Sequence, residues 1–148
     1  MSKPNFVYVT YIKTTQEKLW AALTDKATMK KYWFGAYAET DWKPGSPWAL
    51  KFDDGRIADS GKILECDPPH RIVIRWINEW KPEIKAEGYS RCTMTLEPYQ
   101  GVMKLTIHHE LEGEGTQFID AVSGGWPRIL SNLKSLLETG AVAYETKA

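Results

Sequence analysis

The segment SGGWPRILSNLKSLLETG, Ser123 to Gly140, sets the strongest limit on the fold. Phe118, Val122, Trp126, Ile129 or Leu130, Leu133 and Leu137 keep a spacing of three or four straight across two glycines and a proline. A helix that began at Pro127 would begin its apolar stripe there, whereas here the phase survives the interruption. The spacing therefore predicts one helix from about Thr116 to Thr139, kinked near Pro127 and ended by Gly140 at the C-cap position. Each glycine in a helix interior costs about 1 kcal/mol against alanine, so Gly124 and Gly125 read as a device for making space rather than for making helix.

What precedes this helix needs covering. Tyr37 to Trp42, Trp48 to Phe52, Arg56 to Glu65, Arg71 to Trp80, Tyr89 to Glu97 and Val102 to Leu111 read as short strands, separated by KPGSP, DDG, DPPH, a KPEIKAE loop and PYQG. Gly and Pro in the separators supply the angles of tight reversals, so the six strands form an antiparallel meander. By parity, Trp48, Leu50 and Phe52 share a face, as do Ile72, Ile74, Trp76 and Asn78, then Cys92, Met94 and Leu96, then Met103, Leu105, Ile107 and His109. The other parity carries Lys51, Arg71, Arg75, Arg91, Glu97, Lys104 and Glu110 and reads as the solvated side. The only long element left to cover the apolar face is the C-terminal helix.

Upstream, Phe6 to Lys13 is aromatic and β-branched on both parities, which predicts a strand covered on both faces for part of its length. Thr14 and Glu17 have capping-box spacing ahead of a short helix from about Thr15 to Thr24, and Asp25 caps a second through about Tyr32. The chain of 148 residues is read as a single domain, 1–148, large enough to bury roughly two-thirds of its unfolded surface without staples.

Composition removes several classes of function. Lys plus Arg and Asp plus Glu are 19 each, so no basic stripe suited to nucleic acid stands out. No run of about 18 apolar residues is present, and membrane insertion is not expected. Cys66 and Cys92 lack the spacing of a metal site, and Asp53-Asp54-Gly55 reads as a hairpin turn. GGWP lacks the Lys and Ser or Thr of a phosphate-binding loop. The expectation is a cytoplasmic protein with no metal and no cofactor. Seven Trp, seven Tyr and four Phe fit either a tight core or the wall of a ligand cavity.

TTQEKLWAALTD, YWFG, DWKPGSPW, ILECDPPHRIVIRW, LTIHHEL and the terminal GGWPRILSNLKSLLETG together resemble the homologues of the Hsp90 ATPase activator C-terminal domain, within the Bet v 1-like or START-like helix-grip superfamily. The resemblance implies an α+β fold, a curved antiparallel sheet of about seven strands around a long C-terminal helix, with two short helices after the first strand. It also implies a cavity between helix and sheet for a hydrophobic, lipid- or polyketide-like small molecule. The name-giving activator engages its chaperone through a separate N-terminal domain, for which this chain has no room. An Hsp90-type chaperone is therefore not the expected partner, and a homodimer is left open.

Trp33, Phe34, Trp48, Trp76, Met94, Val122 and Trp126 are the expected apolar contacts of such a ligand, and Asn78 and His109 the inward polar ones. Asp59 and Ser60 lie in a strand whose register the sequence does not fix. An imidazole titrates near neutrality, so His109 is the candidate acid or base should the chain be an enzyme of the cyclase, hydratase or hydrolase type. A hydrogen-bonded core histidine is the plainer reading of the same residue, and binding is expected over catalysis.

Overall fold

The computed structural model describes residues 3–144. Strand β1 (Asn5–Ile12) leads to helices α1 (Gln16–Thr24) and α2 (Lys26–Tyr32). The meander follows: β2 (Tyr37–Thr40), β3 (Pro47–Lys51), β4 (Ile57–Asp67), β5 (Arg71–Asn78), a short α3 (Pro82–Lys85), β6 (Ser90–Tyr99) and β7 (Val102–Leu111). Helix α4 (Gln117–Thr139) closes the fold. All neighbours in the seven-stranded sheet, ordered β1-β7-β6-β5-β4-β3-β2, are antiparallel.

The inner face carries the predicted parity. Trp48, Leu50, Ile72, Ile74, Trp76, Cys92, Met94, Leu96, Met103, Leu105, Ile107 and His109 are buried there, beneath Phe118, Trp126, Leu130 and Leu133 of α4. Gly61 allows the closest packing. It is the Cα partner of both Trp48 and Trp76, and a Cβ at this position would lie 1.6 Å from the Arg75 carbonyl oxygen. The two indoles instead meet beside it with centroids 4.4 Å apart.

Three details differ from the sequence reading. Strand β1 is covered on one face only: Val7, Val9 and Tyr11 are exposed, because no helix packs on the outer side of this edge strand. The α1 cap is Thr15, whose Oγ1 accepts from Lys18 N at 3.2 Å, while the Thr14 hydroxyl is buried without a partner. KPEIKAE contains α3, a single turn with Pro82 at its start and Ile84 buried, too short to show a period.

Helix α4 runs unbroken through Gly124, Gly125 and Pro127 and is tied at both ends. Its first turn lacks a cap from Thr116; Glu87, in the loop before β6, supplies one from a distance. The Glu87 carboxylate accepts from Gln117 N at 3.0 Å and from Phe118 N at 2.9 Å, satisfying two of the orphan donors and placing negative charge at the positive end of the helix. A Cβ on Gly115 would sit 2.4 Å from Glu87 Cδ, and Gly115 has φ +132°, so glycine is what lets the carboxylate in. At the other end Gly140, at φ 88°, donates to the Leu136 carbonyl. Asn132, fully buried, donates to the Tyr144 carbonyl at 2.8 Å and accepts from Tyr144 N at 3.0 Å, folding the chain after α4 back onto the helix.

Glu87→Ala is expected to lower unfolding free energy by about 1–2 kcal/mol, read from urea midpoints, because a charge-assisted cap is lost. Gly115→Ala acts through the same carboxylate, so the double variant should lose less than the sum of the singles.

Candidate functional site

Below Gly125 the packing of α4 on the sheet is incomplete. A Cβ built there meets no atom within 4 Å. The space is a cavity of about 380 Å³, walled by Trp33, Phe34, Leu50, Phe52, Trp80, Ile84 and Ile129, with Asp59 and Asn78 as its polar groups on the sheet side. A second lobe of about 160 Å³ shares Trp33, Leu50, Asp59, Asn78, Gly125 and Ile129 and adds Trp76, Phe118, Val122 and Trp126. Trp80 is about half exposed at the rim, where the Arg56 guanidinium lies 4.5 Å from the Phe52 ring centroid and 5.3 Å from that of Trp80. Lys81 and Arg128 also border the larger space of about 380 Å³.

Large rings hold the sheet and helix apart here. Trp33, carried by the turn after α2, meets Trp126 of α4 edge-on at 5.0 Å and Trp76 of β5 at 6.4 Å. Their stacked bulk leaves space beside them that Gly125 does not fill.

Of the residues expected at the ligand, Trp33, Phe34, Trp76, Asn78, Val122 and Trp126 border the two lobes. Trp48, Met94 and His109 fall outside that lining, in the core behind it. His109 is fully buried, with its ring 5.1 Å from that of Trp76, 5.4 Å from Phe118 and 5.9 Å from Trp126. Its Nδ1 lies 3.0 Å from Ser90 Oγ and its Nε2 is buried without a partner. Burial, with a smaller push from His108, holds the imidazole down to about 3, so it is neutral at physiological pH.

The register of β4 places the two residues that the sequence left open. Asp59 faces inward as the Cα partner of both Leu50 and Asn78, while Ser60 turns outward and donates to Glu79 Oε2 at 2.6 Å. Burial pushes the Asp59 carboxyl up to about 7, against a hydrogen bond from Trp76 that favours the ionised form; the Glu79 charge adds to the upward push. Irregularities bracket this stretch, one between Leu50 and Lys51, where Ala58 has no partner in β3, and one between Ile63 and Glu65 in the pairing with β5, so parity does not carry into it from either end of β4. Phe52 was legible from its parity with Trp48 and Leu50; Ile84 was hidden in the KPEIKAE loop.

A curved antiparallel sheet closed by one long helix, with an aromatic cavity between them, defines the helix-grip class. The chain belongs to the family of activator of Hsp90 ATPase homolog 1-like proteins, whose family model matches residues 13–138. Among solved structures it is similar to CalU16 from Micromonospora echinospora, at 23% identity and TM-score 0.76 over 95% of this chain and 69% of that one. It is similar to the Aha1 dimer from Colwellia psychrerythraea, at 22% identity and TM-score 0.71 over 93% and 98% of the chains. An HSP90 activator from Plasmodium falciparum aligns at 25% identity and TM-score 0.71 over 90% and 95%. No curated protein sequence matches. Among the described residues no helix is long and apolar enough to cross a membrane, and no group of three or more His, Cys, Asp or Glu is placed to hold a metal ion.

Asp59 and His109 give stability opposite dependences on pH. Asp59 is raised from 3.8 to about 7, so the folded state holds the extra proton between these values and stability falls as pH rises through that window. His109 is lowered from 6.5 to about 3, so the unfolded state holds the extra proton and stability rises with pH up to about 6.5. Where the windows overlap the two slopes offset each other, each being at most about 1.4 kcal/mol per pH unit. Urea titrations of Asp59→Asn should therefore show stability rising more steeply from pH 4 to 6.5 than in the wild type, and those of His109→Gln should show it falling relative to the wild type.

Proposed function

We propose that this chain binds a small, largely apolar molecule between α4 and the sheet. The observation that carries the reading is the cavity itself: rings on several sides, two polar groups on the sheet side, and a helix position without a side chain above it. A wall of tryptophan and phenylalanine holds a ligand by contact area and stacking, which suits lipid- or polyketide-like skeletons. Acid–base chemistry through His109 has less support, since Trp76 and Trp126 border the cavity and His109 does not. A cytoplasmic location is part of this proposal.

The two glycines separate binding from folding. Gly125 lines both lobes, whereas Gly124 is exposed and borders neither. Leucine is the better helix former by about 0.8 kcal/mol, so neither Gly124→Leu nor Gly125→Leu should lower the unfolding midpoint. Gly125→Leu should nevertheless abolish fluorescence enhancement of the neutral probe N-phenyl-1-naphthylamine, while Gly124→Leu should leave it unchanged. Equal binding by all three proteins would overturn the reading.

A second reading, stimulation of an Hsp90-type ATPase, is favoured by the family match and by the likeness to the Plasmodium falciparum activator. Phosphate release by purified Hsp90 with and without this chain decides it. An unchanged rate removes the reading.

A further inference from the structure

Asp59 and Asn78 are cross-strand partners on β4 and β5, so their side chains leave the same sheet face with Cβ atoms roughly 5 Å apart. Both border both lobes of the cavity. The Asn78 amide has its orientation fixed by the loop that follows: Oδ1 accepts from Trp80 N at 2.9 Å and Lys81 N at 2.8 Å. Only an oxygen accepts, so the free end of this side chain is its NH₂ group, a pure donor. Asp59 takes a hydrogen bond from the Trp76 side chain, which leaves the rest of its carboxyl to the cavity.

We propose that Asp59 and Asn78 form a hydrogen-bond-donating subsite for the carbonyl oxygen of a flat, otherwise apolar ketone or quinone, an inference that rests on the binding reading above. Asn78 donates at any pH through its amide. Asp59 donates when protonated, and burial raises it from 3.8 to about 7, so near and below neutrality a large share of the molecules carries that proton. Two donors from adjacent strands then converge on one acceptor, while the rings of Trp33, Phe34 and Trp76 flank the plane to which the carbonyl belongs. A neutral carboxyl serving as donor costs less to keep in an apolar site than a carboxylate does.

The charged groups around Asp59 come from four directions. Glu79, next to Asn78, adds to the upward push, although Lys85 at 2.6 Å and Ser60 at 2.6 Å engage its carboxylate. Arg128 of α4 and Lys81 before α3 border the same cavity, and Arg56 lies over Phe52 at its rim. From β3 the neighbour is uncharged Leu50, and from the turn after α2 it is Trp33.

The test compares 2-acetylnaphthalene with 2-ethylnaphthalene, which keeps the ring system but lacks the carbonyl oxygen, by quenching of tryptophan fluorescence in the wild type and Asp59→Asn. Circular dichroism confirms that the near-isosteric variant is folded. Near pH 6 the wild type should prefer the ketone roughly threefold to tenfold, the range expected for one or two neutral hydrogen bonds. Near pH 8.5 that preference should shrink. Asp59→Asn, which carries a donor NH₂ at every pH, should keep the preference at both. If both probes bind with equal affinity near pH 6, the carbonyl subsite is overturned and the binding reading stands. A ketone preference that ignores pH in the wild type, or that grows as pH rises, also overturns the role of Asp59. If neither probe binds, the binding reading falls and this inference falls with it.

Discussion

One helix has to cover the inner face of seven strands, and the rest of the architecture follows from that mismatch of area. A helix is about 10 Å wide, so it cannot by itself cover a sheet of this breadth. The chain meets the difference by curving the sheet and by filling the flanks with large rings. Trp33 reaches in from the turn after α2 and Trp126 comes down from α4, while Trp48 and Trp76 rise from the sheet on either side of Gly61. The anchoring of α4 is equally non-local. Glu87 before β6 caps its start, and Lys134 and Glu138 near its end bond to the backbone around β1.

The cavity is what this arrangement leaves over. Close packing normally removes voids larger than a water molecule, because side chains interdigitate at near-crystal density. Flat rings propped edge to face around a glycine do so less completely than aliphatic side chains. On the far side of Trp76 and Trp126 the core closes around His109, Cys92 and Ile107, all essentially unexposed. Trp76 and Trp126 therefore form the boundary between a solid half of the core and an open half.

That boundary explains what could and could not be read from the sequence. Period-two alternation announced the inner face, and the unbroken phase from Phe118 to Leu137 announced a single α4 despite three residues that oppose helix. Parity, however, says only that a side chain points inward. It does not distinguish Trp76, at the edge of the open space, from Trp48, Met94 and His109 behind it, since all four share the buried face. Depth along the strand decides that, and depth depends on where Trp33 and α4 come to rest. Asp59 was harder still, because irregularities in the pairing on both sides of it, at Leu50/Lys51 and at Ile63/Glu65, break the parity that runs in from the ends of β4. In β1 the alternation misled in the opposite sense: Val7 and Val9 are apolar yet face solvent, as residues on the outer side of an edge strand can.

The polar residues of the two halves differ in what they do for the fold. Ser90 satisfies one nitrogen of His109, and Asn132 holds the segment after α4 in place, so both contribute to a unique packing. Asn78 also has a structural task, since its carbonyl orders the turn into α3. Asp59 takes a hydrogen bond from the Trp76 side chain, which offsets only part of the cost of its burial. A carboxyl whose pKa rises on folding is held less well by the native state than by water once it ionises, so at neutral pH it subtracts from stability. Asparagine or leucine in its place would spare the fold that cost. That cost falls on a carboxyl that borders both lobes of the cavity, beside the Asn78 amide on the next strand.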